Sequence, residues 1–150
     1  MNRAMLEIVV IGDPGPQGSK SFKGMRGKHA IMVESSKKVK PWREAVKFAA
    51  IEAMGGAGLG VPGPVAVEVV FTMRKPKSAP KRRRTWPDRT PDLSKLIRST
   101  EDALTQAGAW EDDARVIQCL ASKVFPGEGE GSLPVPGARI QITAVTEVSQ

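Results

Sequence analysis

Cysteine and histidine occur once each in this 150-residue chain. An internal disulfide is therefore excluded, and so is a structural zinc site, which draws its four ligands from these two residue types. The lone Cys119 reads as a buried, inert thiol. Tyrosine is absent and aromatics make up 5% of the residues, which offers little for stacking on unpaired bases. No apolar run reaches the roughly 18 residues of a membrane span, and residues 1–11 are too short, and at Glu7 too acidic, for a signal peptide. The expectation is a cytoplasmic chain without a membrane partner. Negative charge is scarce as well: 16 Asp and Glu stand against 23 Lys and Arg, giving a net charge of +7. Such a balance favours a polyanionic partner, although charge alone does not separate nucleic acid from an anionic membrane surface. The length suits one domain, residues 1–150, able to bury roughly two thirds of its unfolded surface.

The pattern along the chain predicts an α+β fold, a small mixed sheet with two helices in the order β, α, β, α, β, β. Apolar alternation over residues 5–11 marks a first strand, and the Gly, Pro and Lys-rich stretch 12–30 a long loop. Trp42, Ala45, Val46, Ala49 and Ala53 recur at helical spacing, so a helix is expected over about 38–54, ended by the glycines of 55–60. Residues 65–73 are β-branched and apolar, as a strand requires. Leu93, Leu96, Ile97, Leu104 and Ala107 line one face of a second helix that Gly108 terminates. Residues 116–125 and 138–148 read as the last two strands. Between the second strand and the second helix, residues 74–89 hold eight basic side chains, three prolines and one acid, Asp88.

Against that basic background, residues 108–116, GAWEDDARV, set Glu111, Asp112 and Asp113 side by side. They follow a helix C-terminus, where the macrodipole disfavours anions, so they repel one another unless positive charge sits among them. A divalent cation is one source, and oxygen ligands without His or Cys suit Mg²⁺ or Mn²⁺ rather than zinc. Lys or Arg from the basic loop is the other. Asp92, before the first apolar helical residue, or Ser94 reads as a helix N-cap, and Glu101 and Asp102 as a solvated face. The stretch GDPGPQGSKS, residues 12–21, hints at a phosphate-cradling loop. Ser19 separates Gly18 from Lys20 and no helical pattern follows, so a nucleotide cofactor is not expected.

The segment PDLSKLIRSTEDALTQAGAWEDDARV, residues 91–116, with Lys123 on the following strand, resembles the core of the RusA-type Holliday-junction resolvases. These crossover junction endodeoxyribonucleases are common in phages and prophages. Their core carries an Asp-x-Asp element with a basic residue four positions on, then Asp-Ala-Leu, then Gly-x-Trp/Phe-x-Asp-Asp. The resemblance implies phosphodiester hydrolysis with Mg²⁺ held by Asp92, Asp112 and Asp113, and a catalytic basic residue at Arg98. Where the family usually has its second Asp this chain has Ser94, whose hydroxyl ligates Mg²⁺ weakly or holds a water but brings no charge. A catalytically weak or inactive branched-DNA-binding protein is therefore the alternative to a nuclease of recombination and repair. Phosphate contacts dominate DNA affinity. The candidate contacts are Lys81, Arg82, Arg83, Arg84 and Arg89 of the basic loop, Lys95 and Lys123 beside the acids, and Lys20, Lys23, Arg26 and Lys28 of the N-terminal loop.

Helix length adds one expectation. A helix over 93–107 is roughly 22 Å long at ~1.5 Å per residue, with Asp92 at one end and Asp112 and Asp113 beyond the other. One metal ion does not span that distance. Two helices antiparallel across a two-fold axis bring Asp92 of one subunit to the acid pair of the other, so a homodimer with shared metal sites is expected.

Overall fold

The computed structural model of the protein describes residues 4–18, 20–27, 29–34, 37–56 and 60–145. In chain order its elements are β1 (Ala4–Ile11), β2 (Lys20–Arg26), β3 (His29–Glu34), α1 (Val39–Ala53), β4 (Val65–Thr72), α2 (Leu93–Ala107), a 3₁₀ turn (Asp113–Arg115), β5 (Val116–Val124) and β6 (Gly137–Ala144). Four strands form one mixed sheet in the order β1-β6-β4-β5, in which only the β4–β5 pair is parallel. The α+β class and the order β, α, β, α, β, β hold for this sheet and its two helices. The long loop expected over residues 12–30 does not: it contains β2, and its end enters β3, forming a separate antiparallel hairpin. Glycines and lysines interrupt the apolar alternation there, yet Gly27 takes a left-handed φ of 62° that closes the hairpin turn at no steric cost. Of the expected N-terminal contacts, Lys20, Lys23 and Arg26 fall on β2, and Lys28 lies outside the described residues.

Packing follows from strand period two. Val65, Val67, Val69 and Phe71 of β4 point to one face, with Ile140 and Ile142 of β6 and Ile8 and Val10 of β1 beside them, all buried. Both helices cover that face. From α1 come Trp42, Val46 and Ala50, and from α2 Leu96, Ala103 and Leu104. Pro41 is tolerated in α1 because it falls in the first turn, where the backbone N–H has no helical partner. The Trp42 indole N–H donates to Thr100 Oγ1 at 3.1 Å, a buried bond that locks α1 to α2. Among the described residues no helix is long and apolar enough to cross a membrane.

Among the described residues the strand β5 bonds to β4 alone and forms an edge of the sheet. Ile117 and Leu120 are 62% and 61% exposed on it, and Cys119 is exposed, so the expectation of a buried thiol is corrected. Edge position is the reason: among the described residues β5 has a neighbouring strand on one side only, and its other side is open. Burial by its other neighbours and the nearby Glu101 carboxylate still push the Cys119 thiol pKa up, which keeps it protonated at neutral pH.

Candidate active site and cationic groove

The helix α2 sets the spacing of the acids. Its N-cap is Asp92, with extended backbone and no side-chain capping bond, so the carboxylate of this exposed residue is directed to no backbone N–H of the first turn. Lys95 Nζ stands 4.0 Å away, and Ser94 and Arg98 are exposed on the first turns of the helix. On the far side of Asp92, Lys123 reaches back from the end of β5 and its Nζ donates to the carbonyls of Arg89 and Pro91, 2.9 Å each. The lysine expected to touch DNA is thus also a strut that fixes the backbone leading into Asp92.

At the other end, Gly108 adopts a left-handed φ of 82° and caps α2, as its position in the sequence predicts. The chain then dips into the core at Ala109 and Trp110 and resurfaces as Glu111–Ala114, all exposed. The Trp110 indole N–H donates to Thr105 Oγ1 at 2.7 Å, and the Thr105 hydroxyl donates in turn to Asp113 Oδ1. This relay holds Asp113 against the last turn of the helix. Asp112 caps the 3₁₀ turn by accepting from the Ala114 N–H at 3.3 Å. Arg115 pairs with Glu111 at 2.9 Å, so part of the acidic repulsion is relieved locally, by a neighbour rather than by the basic loop. Glu101 and Asp102 are half-buried rather than solvated. Burial pushes the Glu101 carboxyl pKa up, and the charges of Asp113 and Asp102 push it further.

Asp92 and Asp113 are therefore brought to opposite ends of one rigid helix. With Asp113 held at Thr105, about 20 Å lies between them at ~1.5 Å per residue. Among the described residues no three His, Cys, Asp or Glu side chains converge as a metal site would require. The donor set suits Mg²⁺ in its chemistry, but one chain does not assemble it.

Basic side chains gather beside Asp92. An open groove of about 1230 Å³ runs along residues 74–91. Its lining includes the cations Lys37, Lys38, Arg74, Arg83, Arg84, Arg89 and Lys123 and the acids Asp13 and Asp88. Arg74 is paired with Asp13 at 3.2 Å. Lys81 and Arg82 are exposed on the same segment but do not line the groove. Lys75, by contrast, turns inward: its Nζ donates to Glu128 Oε2 at 2.6 Å and sits 5.6 Å from the Phe125 ring centre. Glu128 Oε1 also accepts from the Thr85 N–H at 3.0 Å, so one carboxylate ties both ends of the basic segment to the β5–β6 connection. The Lys75 bond first, then that of Thr85, holds the Glu128 pKa below its ordinary value.

Trp110 falls within the quoted motif, but its bond to Thr105 is not legible there; Lys37 and Lys38 are missed because only the tertiary fold brings them to the groove. Trp86 was also missed, although an isolated aromatic inside a basic run is a visible signal.

A cationic groove that opens beside a carboxylate, on a small α+β frame, has the charge layout of a protein that handles a polyanion. The chain belongs to the RusA endodeoxyribonuclease family, whose model matches residues 12–135; the general class of that family is the junction-resolving endonucleases. No match is found among curated proteins.

Proposed function

We propose that the protein is a Mg²⁺-dependent endodeoxyribonuclease that resolves four-way DNA junctions in recombination and repair, acting as a homodimer with metal sites shared between subunits. The placement of Asp92 and the Asp112, Asp113 pair at opposite ends of α2 carries this reading. Each end offers part of a ligand set, and a second copy supplies the rest. When bound, the cation would supply charge stabilisation on the phosphodiester and activation of water. Asp92 of one subunit with Asp112 and Asp113 of the other would hold it, with Ser94 beside them. Arg98, on the exposed face of α2, would meet the scissile phosphate, and the groove cations would hold the flanking strand.

The edge strand supports the shared arrangement. Asp113 opens the 3₁₀ turn that leads into β5, whereas Lys123 near the end of that strand is bonded to Pro91, next to Asp92. Antiparallel approach of two β5 edges, with the two α2 helices alongside, would bring each acid pair to the partner's Asp92 and cover the exposed Ile117.

Cleavage of a labelled four-way junction, with and without Mg²⁺, tests the proposal. Asp92→Asn and Asp113→Asn should each lose cleavage while junction binding survives or tightens, since removing an acid also removes repulsion of DNA. Near-normal cleavage by both variants would refute the metal-site assignment. Ser94, an uncharged residue in place of an acid, favours a second reading as a weak nuclease that mainly binds branched DNA. Wild-type protein that binds the junction but leaves it uncut in Mg²⁺ or Mn²⁺ would select that reading.

A further inference from the structure

The basic segment carries an aromatic ring that the metal site and the phosphate contacts leave unused. Trp86 is 60% exposed, whereas Trp42 and Trp110, the chain's other two tryptophans, are each 2% exposed in the core. An isolated surface aromatic is ordinary in itself. This one lines the cationic groove, whose lining extends through Arg89 to Pro91, the residue before Asp92. The Arg84 guanidinium lies 5.0 Å from its ring centre, the geometry of a cation over a π face. Pro87 follows it, and the Asp88 N–H donates to the Trp86 carbonyl at 2.9 Å, which fixes the backbone that presents the ring. The anchor of Glu128 to Lys75 and Thr85 holds the segment just before it.

We propose that Trp86 is a stacking platform for an unpaired nucleobase at the branch point, with Arg84 bridging to that nucleotide's phosphate. A duplex keeps its bases stacked on one another and shows a groove of this kind only its backbone. At a branch point, bases can open, and an exposed indole beside cations is the surface that receives one. Trp86 would thus act as a discriminator of branched from linear DNA, a task that phosphate contacts do not perform because they read charge alone. The inference rests on the junction-binding reading above.

Two measurements on the 150-residue chain separate the outcomes. The first is intrinsic fluorescence. With the other two indoles in the core, quenching on addition of a short oligothymidylate reports on Trp86, and Trp86→Phe should abolish the response. The second is the ratio of four-way-junction affinity to duplex affinity. Trp86→Ala should lower it on the order of tenfold or more, the effect of losing one base–aromatic stack, while Trp86→Phe retains most of it. A folded Trp86→Ala protein with an unchanged ratio overturns the proposal. Wild-type protein that binds junction and duplex alike overturns the junction reading instead, and oligothymidylate quenching then decides on Trp86 alone: absence of quenching refutes the platform.

Discussion

Mixing two inactive variants gives the sharpest test of the shared site. Asp92→Asn would remove a proposed ligand at the start of α2 and Asp113→Asn one held at its last turn. Two oxygens on one Mg²⁺, each ~2.0–2.1 Å from the ion, stand at most about 4 Å apart, whereas about 20 Å of helix separates these residues in one chain. A single subunit therefore cannot place both on one ion, and under the proposed arrangement each active site would need both chains. After equal amounts of the two variants exchange subunits at random, about half of the dimers are mixed, and each mixed dimer carries one doubly damaged site and one intact site. About a quarter of wild-type site activity should return, as nicks rather than paired cuts, because no mixed dimer has two working sites. The assay is gel separation of an end-labelled junction, with exchange verified by co-purification of differently tagged copies. Verified exchange without recovered nicking would refute the arrangement, since sites within single subunits keep one lesion each in every combination.

Three further outcomes are expected. Replacing the exposed Arg82, Arg83 and Arg84 by alanine should weaken DNA binding and reduce the slope of log affinity against log salt by up to about 2.7, ~0.9 for each lost duplex phosphate contact. An unchanged slope, measured by salt titration, would move the phosphate contacts to Lys37, Lys38 or the β2–β3 hairpin. Ser94→Asp should raise cleavage or lower the Mg²⁺ requirement, since the site is exposed and a carboxylate in the first helical turn is favoured by ~0.3–1 kcal/mol; a folded variant with less cleavage would assign Ser94 another role. The Glu128 pKa is depressed on folding, so its contribution to anchoring the basic segment is complete above its ordinary value of 4.5 and is lost as pH falls through the lower folded value. Proteolysis within residues 76–84 should accordingly increase below about pH 4.5 in the wild type, whereas Glu128→Gln should be cut readily at neutral pH; equal resistance of the two proteins at neutral pH would show that the anchor is dispensable.

The elements that announce themselves in the sequence are those governed by local periodicity. The bounds of α2 follow from its apolar spacing and from Gly108, the residue suited to its left-handed cap. Its length in turn made the separation of Asp92 from Asp113 readable before any fold was known. The β2–β3 hairpin was not readable, because Gly24, Gly27 and scattered lysines break the alternation and cross-strand pairing decides the outcome. Lys37 and Lys38 join the groove only because the start of α1 faces the same groove as the basic segment, which brings together residues far apart in sequence. Thr105 is an unremarkable helical residue until Trp110 folds back onto it. The exposure of Cys119 depends on β5 being the last strand of the sheet, a fact of topology that composition does not carry.

If the acids at both ends are the proposed ligands, α2 would also be a caliper. With two copies of α2 lying antiparallel, the pair of reactive centres would be set about one helix apart, ~20 Å, or roughly six nucleotide steps along a B-form strand at ~3.4 Å each. The interval between the two incisions would then be written in the number of residues from Leu93 to Ala107 rather than in any contact with the bases. Substitutions on the exposed face of this helix leave that interval alone, whereas an insertion of one turn lengthens it by ~5.4 Å. Length itself, more than the identity of most residues along it, would be the property of α2 under functional constraint.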